Sequence, residues 1–308
     1  MIDILLATYN GEKYIDTQIS SIVNQTYTDW KLYIHDDGST DSTVEKIKHW
    51  HSLDSRIIFI EDGIVFREPG RHFFHLMKYS TSDFICFADQ DDLWFENKLS
   101  VMYEHIDKIS LQPELVICSC YLWNLDEYSV VPKIDFSCAH NLYEFLFLNG
   151  GLQGCAMLFN AALRSVVFEH DLSYLYMHDY LISLVAFTFG SVIYIDKKLF
   201  LYRQHEYNTS VHLQESRNNY IWQVMKNTDV PIVYAPAYKT VKSFFGAYAH
   251  KMTKEKACIY RQYLAFPSMN IIKRFFSIIF SKFSIGKNGH TKLVLKLFVR
   301  SFWRETYE

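Results

Sequence analysis

Three short runs in this chain of 308 residues carry side chains suited to chemistry: Thr8-Tyr9-Asn10-Gly11, Asp36-Asp37-Gly38-Ser39 and Asp89-Gln90-Asp91-Asp92. Each follows an apolar segment, so each stands where a strand ends. Crowding Asp89, Asp91 and Asp92 behind a buried strand sets like charges against one another unless something positive neutralises them. One neutraliser is an ordinary ion pair, and Lys98 is the nearest cation in sequence. The other is a hard divalent cation, which takes oxygen ligands and is commonly held by one or two carboxylates together with substrate phosphates. Asp179 offers a similar choice at the start of a helical pattern: a cap for free backbone N–H groups, or a base.

The elements that must position these runs alternate. Ile2 to Ala7 reads as a strand, Ile15, Ile19, Ile22 and Val23 recur at helical spacing, and Lys31 to His35 returns to a strand. Ser39, Thr40 and Asp41 are N-cap types ahead of the next helix. A strand at Ile57 to Ile60, a helix around Phe73 to Tyr79 and a strand at Phe84 to Ala88 follow. Beyond these the spacing predicts a helix over Asn97 to Ile109, strands at Leu115 to Tyr121 and Cys155 to Phe159, and a helix over His178 to Phe189. Two short strands, Val192 to Ile195 and Leu199 to Tyr202, complete the pattern. Repeated strand-helix-strand units imply an α/β fold with a mostly parallel sheet flanked by helices. In such sheets the ligand crevice lies beyond the carboxyl ends of the strands, where the three polar runs stand.

Several chemistries are excluded by what the strand ends lack. There is no Gly-x-x-x-x-Gly-Lys-Ser/Thr loop, no Gly-x-Gly-x-x-Gly after the first strand and no Gly-x-Ser-x-Gly elbow. None of the six cysteines forms a Cys-x-x-Cys pair, and several sit in apolar runs, which fits free thiols in a reducing cytoplasm. No secretory signal or spanning helix is readable. With 49% apolar residues the chain has ample material for a core.

In order, Ile4-Leu5-Leu6-Ala7-Thr8-Tyr9-Asn10-Gly11, Ile19 to Thr26, Asp36-Asp37-Gly38-Ser39-Thr40-Asp41 and Phe87-Ala88-Asp89-Gln90-Asp91-Asp92-Leu93-Trp94 resemble the motifs of family 2 glycosyltransferases of the GT-A fold. The likeness is to the bacterial branch that builds O-antigen and capsule repeat units. Later segments agree: Gln153 to Asn160, Met177-His178-Asp179-Tyr180, and Tyr202-Arg203-Gln204-His205 followed by Asn208.

The resemblance covers Ile2 to Val211 and implies an inverting, metal-dependent hexosyltransferase acting on a nucleotide-sugar. UDP-glucose or UDP-galactose is the favoured donor, dTDP-rhamnose the alternative, and a non-catalytic nucleotide-sugar-binding protein the reading of another class. Carried over by position, Ala7, Thr8, Tyr9 and Asp37 would contact the nucleoside. Asp89 and Asp91 form the Asp-x-Asp pair, with Asp91 the direct ligand to Mn²⁺ or Mg²⁺. Asp179 matches the general base, and Gln153 and Gly154 would border the acceptor. Arg203 or His205 would close over the diphosphate. Asp36 and Asp41 would shape or cap the loop, and Asp92 would stand behind the metal or touch the sugar. Within Gly63 to His75, Arg67 or Arg71 would contact the donor, with a surface ion pair to Glu68 the competing reading.

The net charge of −3 hides an asymmetry: Ser268 to Arg304 carries +8 with no acidic residue, which leaves −11 on the rest. In this tail Ile272, Phe275, Phe276, Ile279, Phe280 and Phe283 share one helical face. Lys292, Lys296, Arg300 and Arg304 recur every fourth residue beyond Gly286-Lys287-Asn288-Gly289. Cations and aromatics on separate faces suit the interface of an anionic bilayer, and packing on the catalytic domain is the other use of such a face. Nucleic acid is disfavoured as a partner because the acidic body would be repelled by phosphate. The expected organisation is thus a catalytic domain at 1–211, a helical region at 212–267 and basic amphipathic helices at 268–308. The expected acceptor is a lipid-linked, polyprenyl diphosphate saccharide. The expected location is the cytoplasm, peripherally on the inner face of the cell membrane.

Overall fold

The structure, a computed structural model, describes residues 1–124, 129–132, 139–147, 152–205, 232–284, 293–294 and 296–298. The chain divides into two compact units. The first is Met1–Ile134, Leu152–Glu169 and Met177–Thr209; the second is Asp135–Gly151, His170–Tyr176 and Ser210–Glu308. The expected boundary at 211/212 lies outside the described residues, as do Asn208, Lys287, Lys292, Arg300 and Arg304.

The first unit is built on β1 (Ile2–Thr8), β2 (Trp30–Asp36), β3 (Ile57–Ile60) and β4 (Phe84–Ala88), which pair in parallel in the order β3-β2-β1-β4. β1 is buried on both faces, as a central strand of a covered sheet must be, and this explains its run of Ile and Leu rather than an alternating pattern. Its one acidic residue, Asp3, is buried but accepts hydrogen bonds from the Ser80 and Ser82 hydroxyls and the Thr81 and Ser82 backbone N–H groups. That fixes the turn entering β4. The helices α1 (Ile15–Val23) and α2 (Thr43–Leu53) connect β1 to β2 and β2 to β3, and α1 buries Ile15, Ile19 and Ile22. The sheet continues through β5 (Leu93–Trp94), β6 (Glu114–Asn124), β7 (Ser129–Pro132), β8 (Met157–Asn160) and β9 (Ser191–Gln204). β8 runs antiparallel between β4 and β6, while β9 is parallel to β6. The expected α/β, helix-flanked sheet is present, but it is mixed: β1 to β4 pair in parallel, as do β6 and β9, while the β4–β8, β6–β8, β6–β7 and β5–β9 pairings are antiparallel.

Several boundaries differ from the sequence expectation for identifiable reasons. α3 (Pro69–Leu76) starts four residues before Phe73 because Pro69 occupies its first turn, where a missing N–H costs nothing. The two short strands expected at Val192 to Ile195 and Leu199 to Tyr202 are one strand, β9, with register irregularities against β6 between Ile117 and Tyr121. Asp196 and Lys197, between the two expected strands, are exposed residues of the single strand. α4 (Lys98–His105) is shorter than predicted, and β8 begins at Met157 because Gly154–Ala156 forms a single 3₁₀ turn. The N-cap position of α2 is Ser42, whose side chain makes no capping hydrogen bond; of the expected cap residues, Asp41 accepts the Thr43 N–H and hydroxyl. After α6 (Ala161–Val167), α7 (His178–Phe189) matches the predicted span. It ends on Gly190, where a Cβ would stand 1.8 Å from the Pro113 carbonyl oxygen.

The second unit holds α5 (Leu142–Phe145), α8 (Ala235–Tyr248), α9 (Lys254–Ala265) and α10 (Ile271–Phe280). Phe147, Phe266 and Phe283 pack with ring centroids 5.2–5.5 Å apart. Of the apolar face expected on α10, Ile272, Phe276, Ile279 and Phe280 are exposed, at 64%, 50%, 49% and 82%, whereas Phe283 is buried beyond the helix end. No helix among the described residues is long and apolar enough to cross a membrane.

Candidate active site

The carboxyl ends of β1, β2 and β4 bring the three polar runs to one edge of the first unit. After β1, the Thr8 hydroxyl donates to Asp36 Oδ1 at 2.8 Å, and the Thr8 carbonyl accepts the Asp37 N–H at 2.8 Å. Ala7 lies half-buried at the same strand end, and the Tyr9 ring stands 54% exposed. The Tyr9 backbone is clasped by Gln90, whose amide accepts from Tyr9 N–H at 2.9 Å and donates to Tyr9 C=O at 3.0 Å. The run after β1 is thereby tied to the run after β4, a link between remote residues that no local spacing marks. Asn10 takes a left-handed φ of +48°, and its side-chain oxygen accepts the Thr40 N–H, closing the loop against the run after β2.

The Asp36 carboxylate accepts from Thr8, from the Gly38 and Ser39 N–H groups and from the Ser39 hydroxyl. It therefore shapes the loop, as expected from sequence. Asp37 is buried and accepts the backbone N–H groups of Phe66 and Arg67 at 2.5 and 2.7 Å. Arg67 adopts φ +55°, a strained conformation for a side-chain-bearing residue. Arg71 lies on the exposed side of α3, where its Nε pairs with Glu68 Oε2 at 3.1 Å.

After β4 the chemistry changes. Burial pushes the Asp89 carboxyl upward, and the nearby Asp91 charge adds to the rise. Asp92 is fully buried; burial and the charges of Asp89 and Asp91 push its carboxyl well up, and its Oδ2 has no hydrogen-bond partner. Lys98, also fully buried, donates to the Cys155 carbonyl at 2.6 Å and lies 3.6 Å from the Trp94 ring centroid. The cation nearest in sequence is thus part of this cluster, yet it does not form an ion pair with any of the three carboxylates. Asp91 faces the other way: its Oδ2 lies 2.8 Å from His205 Nε2, and its backbone carbonyl accepts from Arg203 Nε at 2.6 Å. The Arg203 guanidinium stacks over Trp123 and Tyr14, and Tyr14 stacks on His205 with centroids 4.9 Å apart.

These observations test the cluster against a divalent cation. Asp89, Asp92 and Cys155 have ligand atoms within 4.8 Å of one another. Burial and the neighbouring carboxylates push the Cys155 thiol well up, so it is protonated and a poor ligand for a hard ion. Asp91 stands apart from that set, half-buried, with its carboxylate against the His205 imidazole. The Asp89 and Asp92 carboxylates offer the oxygen donors that a hard divalent cation takes.

Asp179 stands in the first turn of α7, two residues past the N-cap Met177, and its Oδ1 accepts the Tyr180 N–H at 2.7 Å. The Asp179 carboxylate thus satisfies one backbone N–H at the start of α7. Burial pushes its carboxyl up to about 7 against the Tyr180 and Gly154 backbone donors, and Asp89 adds like charge. Gly154 is close by: a Cβ there would come within 2.9 Å of His178 Nε2 and 3.6 Å of Asp179 Cβ. The Gln153-Gly154 turn thus meets the start of α7 only because residue 154 has no side chain. His178 packs between Phe73 and Phe87 and, with neither ring nitrogen hydrogen-bonded, burial holds it neutral, down to about 3.

The model of the family described as "Glycosyl transferase family 2" matches residues 3–169. Among curated proteins, the chain is 29% identical over 217 residues to the dTDP-rhamnosyl transferase RfbG of Shigella flexneri, covering 66% of this chain and 72% of that protein. It is 37% identical over 101 residues to the UDP-Glc:alpha-D-GlcNAc-diphosphoundecaprenol beta-1,3-glucosyltransferase WfgD of Escherichia coli, covering 33% of this chain and 39% of that protein. Among solved structures it is similar in fold to S. aureus TarS 1-349 in complex with UDP-GlcNAc. There the TM-score is 0.57 at 14% identity, over 86% of this chain and 70% of that one.

Proposed function

The chain belongs to glycosyl transferase family 2, and on that premise we propose that it is an inverting, metal-dependent hexosyltransferase that passes a sugar from a nucleotide-sugar to a lipid-linked saccharide. The observation that carries the reading is Asp179. It is a carboxyl near Asp89, pushed up to about 7 by burial, beside the closely packed Gln153-Gly154 turn.

In this reading Tyr9 stacks on the base, and Asp37 accepts the imide N–H that uracil and thymine share. Ala7 and Thr8 line the nucleoside. Asp91, with Asp89 and His205, holds the divalent cation, which when bound acts as a Lewis acid on the leaving diphosphate. Arg203 adds positive charge on the same side, and Arg71, now paired with Glu68, is the donor contact carried over from the family resemblance. Gln153 and Gly154 border the acceptor. Asp179 removes the proton from the acceptor hydroxyl as its oxygen bonds to the anomeric carbon. The bond from that carbon to the phosphate oxygen breaks with its electron pair leaving on the nucleoside diphosphate. One-step attack from the opposite face inverts the centre.

The favoured donors are UDP-glucose and UDP-galactose. The similarity to RfbG over 66% of the chain supports dTDP-rhamnose as a second reading. The lipid-linked acceptor is supported by the likeness to WfgD. Purified protein with Mn²⁺ and a donor panel tests the proposal: one donor should release nucleoside diphosphate with a polyprenyl-diphosphate-linked acceptor and give an inverted anomeric configuration by NMR. Release from no donor leaves the non-catalytic reading, and retention would reject Asp179 as base.

The exposed apolar edge of α10, flanked by Lys273, supports peripheral docking on the inner face of an anionic membrane. Truncation before Ser268 should abolish co-sedimentation with anionic liposomes; equal binding by both forms would refute the docking.

A further inference from the structure

Away from the acidic cluster, the structure gathers a second set of ligand-type side chains beneath the loop that follows β3. His35, near the end of β2, places Nε2 2.9 Å from Asp62 Oδ1, and His75, on α3, places Nε2 2.7 Å from Asp62 Oδ2. The three ligand atoms lie within 4.8 Å of one another. We propose that His35, Asp62 and His75 form a binding site for a zinc-class divalent cation, separate from the site at Asp91.

The ligand chemistry chooses the class of ion. Two imidazole nitrogens and a carboxylate oxygen, with a water in the fourth position, suit a borderline-soft ion such as Zn²⁺, whereas Mg²⁺ and Mn²⁺ prefer oxygen throughout. Bonds of about 2.0–2.2 Å in a tetrahedral site put ligand atoms about 3.3 Å apart. His35 and His75 each reach one of the two Asp62 oxygens, at 2.9 and 2.7 Å, and one ligand atom from each residue lies within 4.8 Å of the others, so small side-chain adjustments bring the three to that spacing. Entry is available: the His35 side chain is 2% exposed, but His75 and Asp62 are 13% and 21% exposed.

The surroundings complete the case. Each neutral imidazole carries one proton, so coordination through Nε2 requires that proton on Nδ1. For His35 a partner is already in place, because His72 Nε2 lies 2.7 Å from His35 Nδ1 and accepts once His35 donates. Asp62 is itself oriented by the Ile64 N–H on Oδ1 and the Tyr79 hydroxyl on Oδ2, both at 2.9 Å. Support of this kind behind the ligands is worth about 10–100-fold in metal affinity. A cation here would tie Asp62 to β2 and α3, and Asp62 begins the loop whose Phe66 and Arg67 N–H groups hold Asp37.

The test uses the full chain, stripped with a chelator and dialysed against zinc alone, with bound metal counted by mass spectrometry. An Asp91→Ala protein should retain one equivalent of zinc, and adding His75→Gln or Asp62→Asn should weaken retention more than about tenfold. Loading with Co²⁺ should give visible ligand-field bands that His75→Gln removes. Circular dichroism identifies any variant that fails to fold; should Asp62→Asn do so, the exposed-edge variant His75→Gln decides. The proposal is overturned if the Asp91→Ala protein retains no zinc, or if folded His75→Gln retains it undiminished.

Discussion

Two groups of aspartates stand at the same edge of one sheet, and their surroundings differ. The group after β2 is satisfied by the protein: Asp36 accepts from Thr8, Gly38 and Ser39, and Asp37 from Phe66 and Arg67. Asp41 is held below the usual carboxylate range, because hydrogen bonds from Thr43 and Glu12 outweigh its burial. The group after β4 is not satisfied. Asp89 is pushed up by burial and the Asp91 charge, Asp92 by burial and the charges of Asp89 and Asp91, and Asp92 Oδ2 has no hydrogen-bond partner. Identical side chains thus do opposite work. Where backbone N–H groups converge, a carboxylate fixes loops and reads donors; where they do not, it calls for a cation or a proton.

The sharpest way to break this contrast is Asp179→Asn, which keeps the shape and removes the base. Transfer should fall by about 10²–10⁴-fold with donor affinity nearly unchanged, measured by initial rates and by donor titration; a normal rate would leave Asp179 only as a partner of the Tyr180 N–H. Asp37→Ala acts on the satisfied group and should instead weaken donor binding by about 10–100-fold, the worth of a charge-assisted hydrogen bond. Its kcat should stay within a few-fold, and an equal fall in kcat would merge the two groups. A gentler probe is pH. A base pushed up to about 7 is competent only when deprotonated, so kcat/KM should drop by about tenfold per pH unit below 7 and level off above it. A profile flat from pH 5 to 8 would remove burial as the cause. The smallest effect is expected from Ser39→Ala, which deletes one of four donors to Asp36 and should lower stability by about 1 kcal/mol in a denaturant melt without altering the pH profile.

Much of this site was legible in the sequence because its parts are local. A strand buried on both faces writes a continuous apolar run, and the polar residues after it mark the crevice; hence β1, β2, β4 and their loops were readable from Ile2–Thr8, Trp30–Asp36 and Phe84–Ala88. Helix α7 was readable because its core-facing residues run without a breaker to Gly190. Features that depend on remote partners were not. Gln90 clasping Tyr9, Tyr14 stacking on His205, and the meeting of His35, Asp62, His72 and His75 join residues on separate elements, and no spacing rule connects them. The reversed β8 and the unbroken β9 were hidden for a related reason. Neighbouring strands decide direction and register, and three polar residues inside a strand read locally as a turn. The segments 135–151 and 170–176, which belong to the second unit, interrupt the first in sequence and carried no compositional mark of it.

The central claim is that the unsatisfied group is completed by a divalent cation held at Asp91. The direct measurement is nucleoside diphosphate release by the wild-type protein in Mn²⁺, after chelation and after Mn²⁺ is restored, with Asp91→Ala alongside. The account predicts that chelation stops wild-type turnover, that Mn²⁺ restores it, and that Asp91→Ala stays low throughout. Undiminished turnover in chelator, or full activity of Asp91→Ala once Mn²⁺ is added, would contradict it.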